Sequence, residues 1–153
     1  MPVRKLIEYL ESNRIKYRTI MHMPSYTAQE IAASAHISGK NVAKTIVVKI
    51  DGKMAMVVLP ASNKIDLGLL KTKVGANTVE LAGEQEFERR FPDCDPGAMP
   101  PFGNLYGMDV VVEDKLTEDD EIAFNAGSHT ELIKMAYKDF DRLVNPRKAH
   151  ISC

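Results

Sequence analysis

Tryptophan is absent from this 153-residue chain, and cysteine occurs only as Cys94 and Cys153. Two thiols make no disulfide framework, and one sits at an end where fraying is expected, so a reducing, cytoplasmic setting is the default. No Cys/His spacing suits zinc. No apolar run approaches the roughly 18 residues of a membrane-spanning helix, and the charged start (Arg4, Lys5, Glu8, Glu11) is unlike a secretory signal. No Gly-rich fingerprint follows a strand, which leaves no P-loop and no dinucleotide site. Repeats, low-complexity tracts and linkers are missing as well, so residues 1–153 read as one domain.

An excess of charge is lacking too. The 20 Lys and Arg nearly balance the 21 Asp and Glu, for a formal net charge of −1. A protein that coats nucleic acid usually carries a strong basic excess. The balance hides a segregation, however. Residues 40–73 hold Lys40, Lys44, Lys49, Lys53, Lys64, Lys71 and Lys73 against Asp51 and Asp66, whereas residues 84–121 hold twelve acids against Arg89, Arg90 and Lys115. The plain reading is solvated lysines; the functional one is a local patch for phosphates.

What is present is pattern. Val3, Leu6, Ile7 and Leu10 repeat at helical spacing and predict a helix over residues 2–13. Lys16 to His22 reads as a strand. Thr27-Ala-Gln-Glu30 matches a capping box and opens a short helix to His36. Residues 43–50 and 54–59 are β-branched and apolar around Asp51-Gly52-Lys53, the clearest hairpin in the chain. A helix is expected over Ile65 to Val74, stopped by Gly75, then a strand over Thr78 to Ala82 and a charged helix over Glu84 to Phe91. Residues 92–107 read as loop, followed by strands over Met108 to Val112, Glu121 to Asn125 and Thr130 to Tyr137, and a last helix over Lys138 to Val144. About seven strands without regular strand–helix alternation favour an α+β class with a mixed or largely antiparallel sheet.

Three places could carry chemistry. Lys44 shares a strand face with Ile46, Val48 and Ile50, the more apolar of the two faces. A lysine aimed at a core side pays for desolvation unless it meets an anion or opens into a cleft; alternatively, at a strand end, it snorkels to water. The stretch Pro92 to Gly103 packs four of the chain's eight prolines into ten residues, so it is shaped rather than floppy. Its backbone groups could hold a small polar ligand, or it could be a rigid surface turn. Asp93 and Asp95 within it lack EF-hand spacing. The third place is the turn Asn125 to Thr130, where His129 could bind substrate near neutral pH or simply be exposed. His22, His36 and His150 stand less well. Cys94, flanked by two aspartates, is expected to keep its proton, so it is no nucleophile. Ser62, Ser128 and Thr130 have no evident base, and no Gly-x-Ser-x-Gly elbow occurs. A hydrolase acting on an activated ester needs less: positioning, one lysine, backbone dipoles and water suffice.

Together these features resemble the YbaK-type aminoacyl-tRNA deacylases and are similar to the editing insertion domain of bacterial prolyl-tRNA synthetases and to ProX-like trans-editing proteins. The resemblance spans about residues 3–145. It rests on Val42-Ala-Lys44-Thr-Ile-Val-Val, on the Gly-x-x-x-Pro loop Gly97-Ala98-Met99-Pro100-Pro101 with the following Phe102-Gly103, on Gly127-Ser128-His129, and on Pro24-Ser25-Tyr26-Thr27-Ala28. It implies a mixed, partly barrel-like sheet flanked by helices, and hydrolysis in trans of the ester joining a wrong amino acid to a tRNA 3′ end. Lys44 looks like the family lysine that holds the phosphate or ribose of the terminal adenosine. Gly97 to Pro101 looks like the loop that positions the aminoacyl group and a water, and His129 matches the histidine that fixes substrate. Tyr26, Ile46, Ala98, Met99, Pro100, Pro101, Phe102, Gly127 and Ser128 would line the substrate. The Gly-Ser-His pattern departs from the cysteine-clearing branch and favours a small amino acid such as alanine, on tRNA(Pro). The implied partners are an aminoacylated tRNA acceptor end and a prolyl-tRNA synthetase. No cofactor, metal or membrane is expected, and a monomer is favoured. Two other readings stay open: a non-catalytic module binding a nucleotide or aminoacyl-adenylate on the same fold, and a general DNA-binding protein, which the acidic segment disfavours.

Overall fold

The computed structural model describes residues 3–21, 42–95, 97–128 and 130–153. The helix expected over Thr27 to His36, with Tyr26, and the histidine at 129 lie outside them. Elements in chain order are α1 (Arg4–Ser12), β1 (Tyr17–Met21), β2 (Val42–Ile50), β3 (Lys53–Pro60), α2 (Leu67–Val74), β4 (Val79–Leu81), α3 (Glu84–Phe87), β5 (Asp109–Glu113), β6 (Glu121–Asn125), β7 (Glu131–Ala136), α4 (Tyr137–Val144) and β8 (Arg147–Ala149). Short 3-10 turns cover Glu88–Arg90, Gly103–Leu105 and Asp114–Glu118. Among the described residues the eight strands form one open mixed sheet in the order β1-β7-β6-β2-β3-β5-β8, with β4 added beside β2. The expected α+β class and mixed sheet are therefore present.

The hairpin follows from its turn. Asp51 (φ 51°) and Gly52 (φ 82°) both take positive φ, the two-residue geometry whose twist matches the flanking strands. Ile50 then faces Lys53, and the register runs to Ala43 opposite Pro60. Asp51 also docks the next strand: its Oδ1 accepts from the N–H groups of Asn77 and Thr78 at 2.9 Å each. α2 starts where Asp66 Oδ1 accepts from the Leu69 N–H at 3.0 Å and stops at Gly75, whose φ of 68° only glycine adopts cheaply.

Both sheet faces are covered. Met56 and Val58 of β3 join α1, Phe102, Phe124 and Phe140 in the main core. Ala55, Val57 and Leu59 pack with Leu70 of α2, Val111 and Ile151 on the other face. That two-sided burial explains why β3 reads as an unbroken apolar run rather than an alternation.

The C-terminus corrects an expectation. Instead of fraying, residues 147–149 add β8 to β5, Ile151 and Ser152 are fully buried, and Cys153 and Lys64 exchange two backbone hydrogen bonds of 3.0 and 2.8 Å. The tail is fastened by Glu113, a buried carboxylate at the end of β5. Its Oε1 accepts from Ile151 N–H (3.0 Å), Ser152 N–H (3.0 Å) and Ser152 Oγ (2.9 Å), and its Oε2 from Lys115 N–H (3.0 Å). His150 Nδ1 lies 3.2 Å from the same Oε1.

Burial pushes the Glu113 carboxyl up, but the hydrogen bonds from Lys115, Ile151 and Ser152 outweigh it and hold it below the usual carboxylate range. A depressed folded-state value means that Glu113 stabilises the fold above the ordinary glutamate value of about 4.3 and loses that contribution as pH falls through its folded value. Glu113→Ala should cost about 3 kcal/mol in urea denaturation at pH 7, because two backbone donors stay buried unpaired. The gap between wild type and variant should narrow as the pH is lowered below about 4.

Candidate active site

One edge of β2 has two different neighbours. Its N-terminal end pairs with β6 in parallel, Val42 opposite Ala123 and Ala43 opposite Phe124. Its C-terminal end pairs with β4 antiparallel, from Val48 opposite Leu81 to Ile50 opposite Val79. Between them, beside Lys44, Thr45 and Ile46, neither strand lies in register. Lys44 is half-buried, on the face that carries Ile46, Val48 and Ile50 toward the second core. The apolar face read from the sequence is thus real, and Lys44 stands at its open end.

Lys44 has no carboxylate partner among the described residues. Burial, and then the nearby Lys64 ammonium, push the Lys44 amine down from its ordinary value. Two lysines that face each other without an acid between them form a site that an anion would relieve. The other described lysines of the basic segment are placed elsewhere. Lys49 is taken up by Glu86 (2.7 Å) and Glu80 (3.2 Å), and Lys53 lies 4.0 Å from Asp109. The acidic segment supplies Glu86 and Asp109, so the segregation seen along the chain is partly cancelled in space. Lys71 and Lys73 stay exposed on α2.

The proline-rich loop reaches the same end of β6. One step beyond Asn125 the chain turns through Ala126 and Gly127. Asp95 N–H donates to the Gly127 carbonyl (2.7 Å), and Gly127 N–H donates to the Ala98 carbonyl (2.9 Å). Val3 N–H ties the turn to the start of α1 through the Ala126 carbonyl at 2.8 Å. Gly97, exposed and with φ 81°, tops the clamped loop. The Gly97 loop and the Gly127-Ser128 turn are therefore one backbone-bonded unit. Ser128 Oγ sits 3.3 Å from Thr130 Oγ1. Ala98, Met99, Pro100 and Pro101 are buried. Phe102 is fully enclosed by the rings of Phe140 (5.4 Å), Phe124 (5.6 Å) and Tyr9 (6.2 Å). Its side chain thus anchors the loop from below, and the backbone around Gly97 is what the loop presents outward. Gly103 can only be glycine here, since an added Cβ would lie 2.6 Å from the Met108 carbonyl oxygen.

Cys94 lies outside this arrangement. Its thiol is pushed up, as its neighbours suggested, but burial is the largest cause and Asp93 and Asp95 add less. Two residues were not singled out as site residues from the sequence: Lys64, counted only within the basic segment but folded near Lys44, and Asn125, the polar residue that ends β6. In the parallel register Asn125 follows Ala123 as Lys44 follows Val42, so the two occupy adjacent strands on the same face. A separate depression, near Lys53, Asn104, Asp109 and Arg147, gathers none of these residues.

The aminoacyl-tRNA editing domain family matches residues 22–143. The chain belongs to that family. A multifunctional Ser/Thr-tRNA deacylase, ProXp-y of Escherichia coli (strain K12), is 26% identical over 148 residues, covering 94% of this chain and 88% of the relative. The prolyl-tRNA editing protein ProX of Acetoanaerobium sticklandii is 25% identical, covering 91% and 88%. The chain also matches a segment of proline–tRNA ligases, 25% identical over 85 residues and 15% of the ligase of Bacillus mycoides (strain KBAB4). Among solved structures, a candidate trans-editing enzyme for prolyl tRNA synthetase superposes with TM-score 0.82 at 19% identity over 98% of this chain and 96% of that one. The editing-domain fold is thus shared, and the named relatives are tRNA deacylases and tRNA editing proteins. No helix among the described residues is long and apolar enough to cross a membrane.

In this editing domain Gly127 combines φ 104° with a neighbour that leaves no room, since a Cβ there would run into the Val3 side chain. Gly127→Ala should cost about 2 kcal/mol. Hydrogen exchange should show the Asp95 and Gly127 amides losing protection together, while the β2–β3 amides keep theirs.

Proposed function

We propose that this protein is a trans-editing aminoacyl-tRNA deacylase, a single domain that hydrolyses the ester of a mischarged tRNA with a positioned water. The favoured substrate is tRNA(Pro) carrying a small amino acid such as alanine, with serine and threonine next because a relative is named for them. The observation that carries the reading is Lys44, a half-buried ammonium without a carboxylate partner among the described residues, on a strand whose neighbour β6 runs into the Gly127 turn that holds the glycine loop.

Each part has a task. Lys44, supported by Lys64, holds the phosphate or ribose of the terminal adenosine. The backbone around Gly97 orients the aminoacyl carbonyl and a water, and its amide dipoles stabilise the oxyanion. Water oxygen bonds to the carbonyl carbon, the bond to the ribose oxygen breaks, and that oxygen leaves with a proton as the tRNA hydroxyl. His129 and Tyr26 complete the contacts to substrate, with Ile46, Ser128 and the buried run Ala98 to Phe102 shaping the wall. An aminoacyl ester is activated, so positioning worth several powers of ten is enough and no nucleophilic triad is required.

Incubation with a panel of alanyl-, seryl-, threonyl-, cysteinyl- and prolyl-tRNAs should show at least one mischarged tRNA cleared well above the rate in buffer, with correctly charged prolyl-tRNA(Pro) spared. Lys44→Ala should slow that clearance about 100-fold. If nothing in the panel is cleared, or the variant is fully active, the reading fails; saturable binding without turnover would favour the non-catalytic module instead. Binding of a non-hydrolysable 3′-end analogue should weaken with rising salt. It should also decline with rising pH sooner than an ordinary lysine would dictate, and Lys64→Ala should move that decline to higher pH.

A further inference from the structure

Asn125 carries a second, independent sign of a ligand. Its side-chain oxygen is shut off from solvent and has no hydrogen-bond partner among the described residues. A buried acceptor left unpaired costs about 1–3 kcal/mol, so its retention needs a reason. No donor among the described residues reaches it. On its own face Asn125 has Ala123 two residues back, Leu132 opposite on β7 and, one residue past the last registered pair of β2 and β6 (Ala43 opposite Phe124), Lys44. Lys44, the charged donor among these, does not close on it. An ammonium that attracts phosphate or carbonyl oxygen thus stands beside an acceptor that lacks a hydrogen.

We propose that Asn125 is a specificity-determining residue whose amide oxygen accepts a hydrogen bond from the α-ammonium group of the bound aminoacyl ester. The inference rests on the deacylase reading and adds to it the group that tells an aminoacyl end from any other acylated hydroxyl. The substrate end carries acceptors (phosphate, carbonyl) and one cationic donor. Acceptors go to Lys44 and the backbone amides; the donor goes to the neighbouring oxygen. An amide oxygen suits this better than a carboxylate, which would pair with Lys44 and close the site in the absence of substrate. Sites built around a buried unpaired group discriminate strongly against ligands that leave it unpaired.

The test compares alanyl-tRNA with propionyl-tRNA, and seryl-tRNA with its 3-hydroxypropionyl counterpart, each rate normalised to hydrolysis in buffer. The des-amino esters match their partners in shape but lack the donor. Wild type should prefer the aminoacyl ester by about 10-fold or more in kcat/KM. In Asn125→Leu, which keeps the size and removes the acceptor, that ratio should fall to about one. A role confined to the fold would lower the melting temperature of Asn125→Leu; loss of an unsatisfied acceptor should leave it level or raised. A preference that survives in Asn125→Leu overturns the assignment while the deacylase reading stands. Where another aminoacyl-tRNA of the panel is the one cleared, it and its des-amino ester form the pair; if wild type clears nothing in the panel, both readings fall.

Discussion

The site depends on how β2 divides one edge between two strands. A strand buried on both faces is normally hydrogen-bonded along both edges, because unpaired backbone groups in a core are costly. β2 meets this by taking β6 at its start and β4 at its end. The two cannot meet in the middle, since one runs parallel and the other antiparallel, and each arrives from a different part of the chain. The opening left beside Lys44 to Ile46 is thus a consequence of topology, and a residue placed there is half in the core and half in a cleft. That is where a lysine can be partly desolvated without being sealed.

Backbone rather than side chains then closes the arrangement. Gly127 accepts from Asp95 and donates to Ala98, so the Gly97 loop is registered to the end of β6 almost as another strand would be. Prolines in the loop lower the entropy lost on ordering it, and Phe102 pins it to the main core from beneath. The result is an outward-facing set of peptide dipoles held by groups that do not themselves react. Such preorganisation is what an activated ester needs, and it is compatible with a thiol such as Cys94 kept protonated by burial.

Much of this was legible in the residues. The hairpin followed from Asp51-Gly52 between two β-branched runs, α2 and α4 from their stops at Gly75 and before Pro146, and the position of Lys44 from alternation along β2. What escaped has a common physical cause: it depends on pairing between segments far apart in sequence. β8 has three residues and no apolar alternation, and exists because β5 offers an edge and Glu113 offers lone pairs. The charged stretch from residue 84 is α-helical only over Glu84–Phe87 and continues as a 3-10 turn over Glu88–Arg90, with Glu86 drawn across to Lys49 at 2.7 Å. The seven-lysine segment is one basic stretch along the chain, and in three dimensions its described lysines are divided between ion pairs, α2 and the cleft.

Two polar residues at strand ends bring out the difference between structure and function in this fold. Glu113, fully buried, ends β5, and Asn125, partly exposed but with its side-chain oxygen shut off from solvent, ends β6. Glu113 receives four hydrogen bonds from the chain itself, so its charge is spent on fastening the C-terminal tail. Asn125 receives none at its oxygen among the described residues. If both served the fold, the second would be an error that substitution by an apolar residue would readily remove, since a matched apolar replacement relieves the desolvation cost. The chain instead keeps an unspent acceptor on the face it shares with an unspent cation. A fold that satisfies a full carboxylate so completely at one strand end, and leaves a neutral amide unsatisfied at another, has reserved the second for something that arrives from outside.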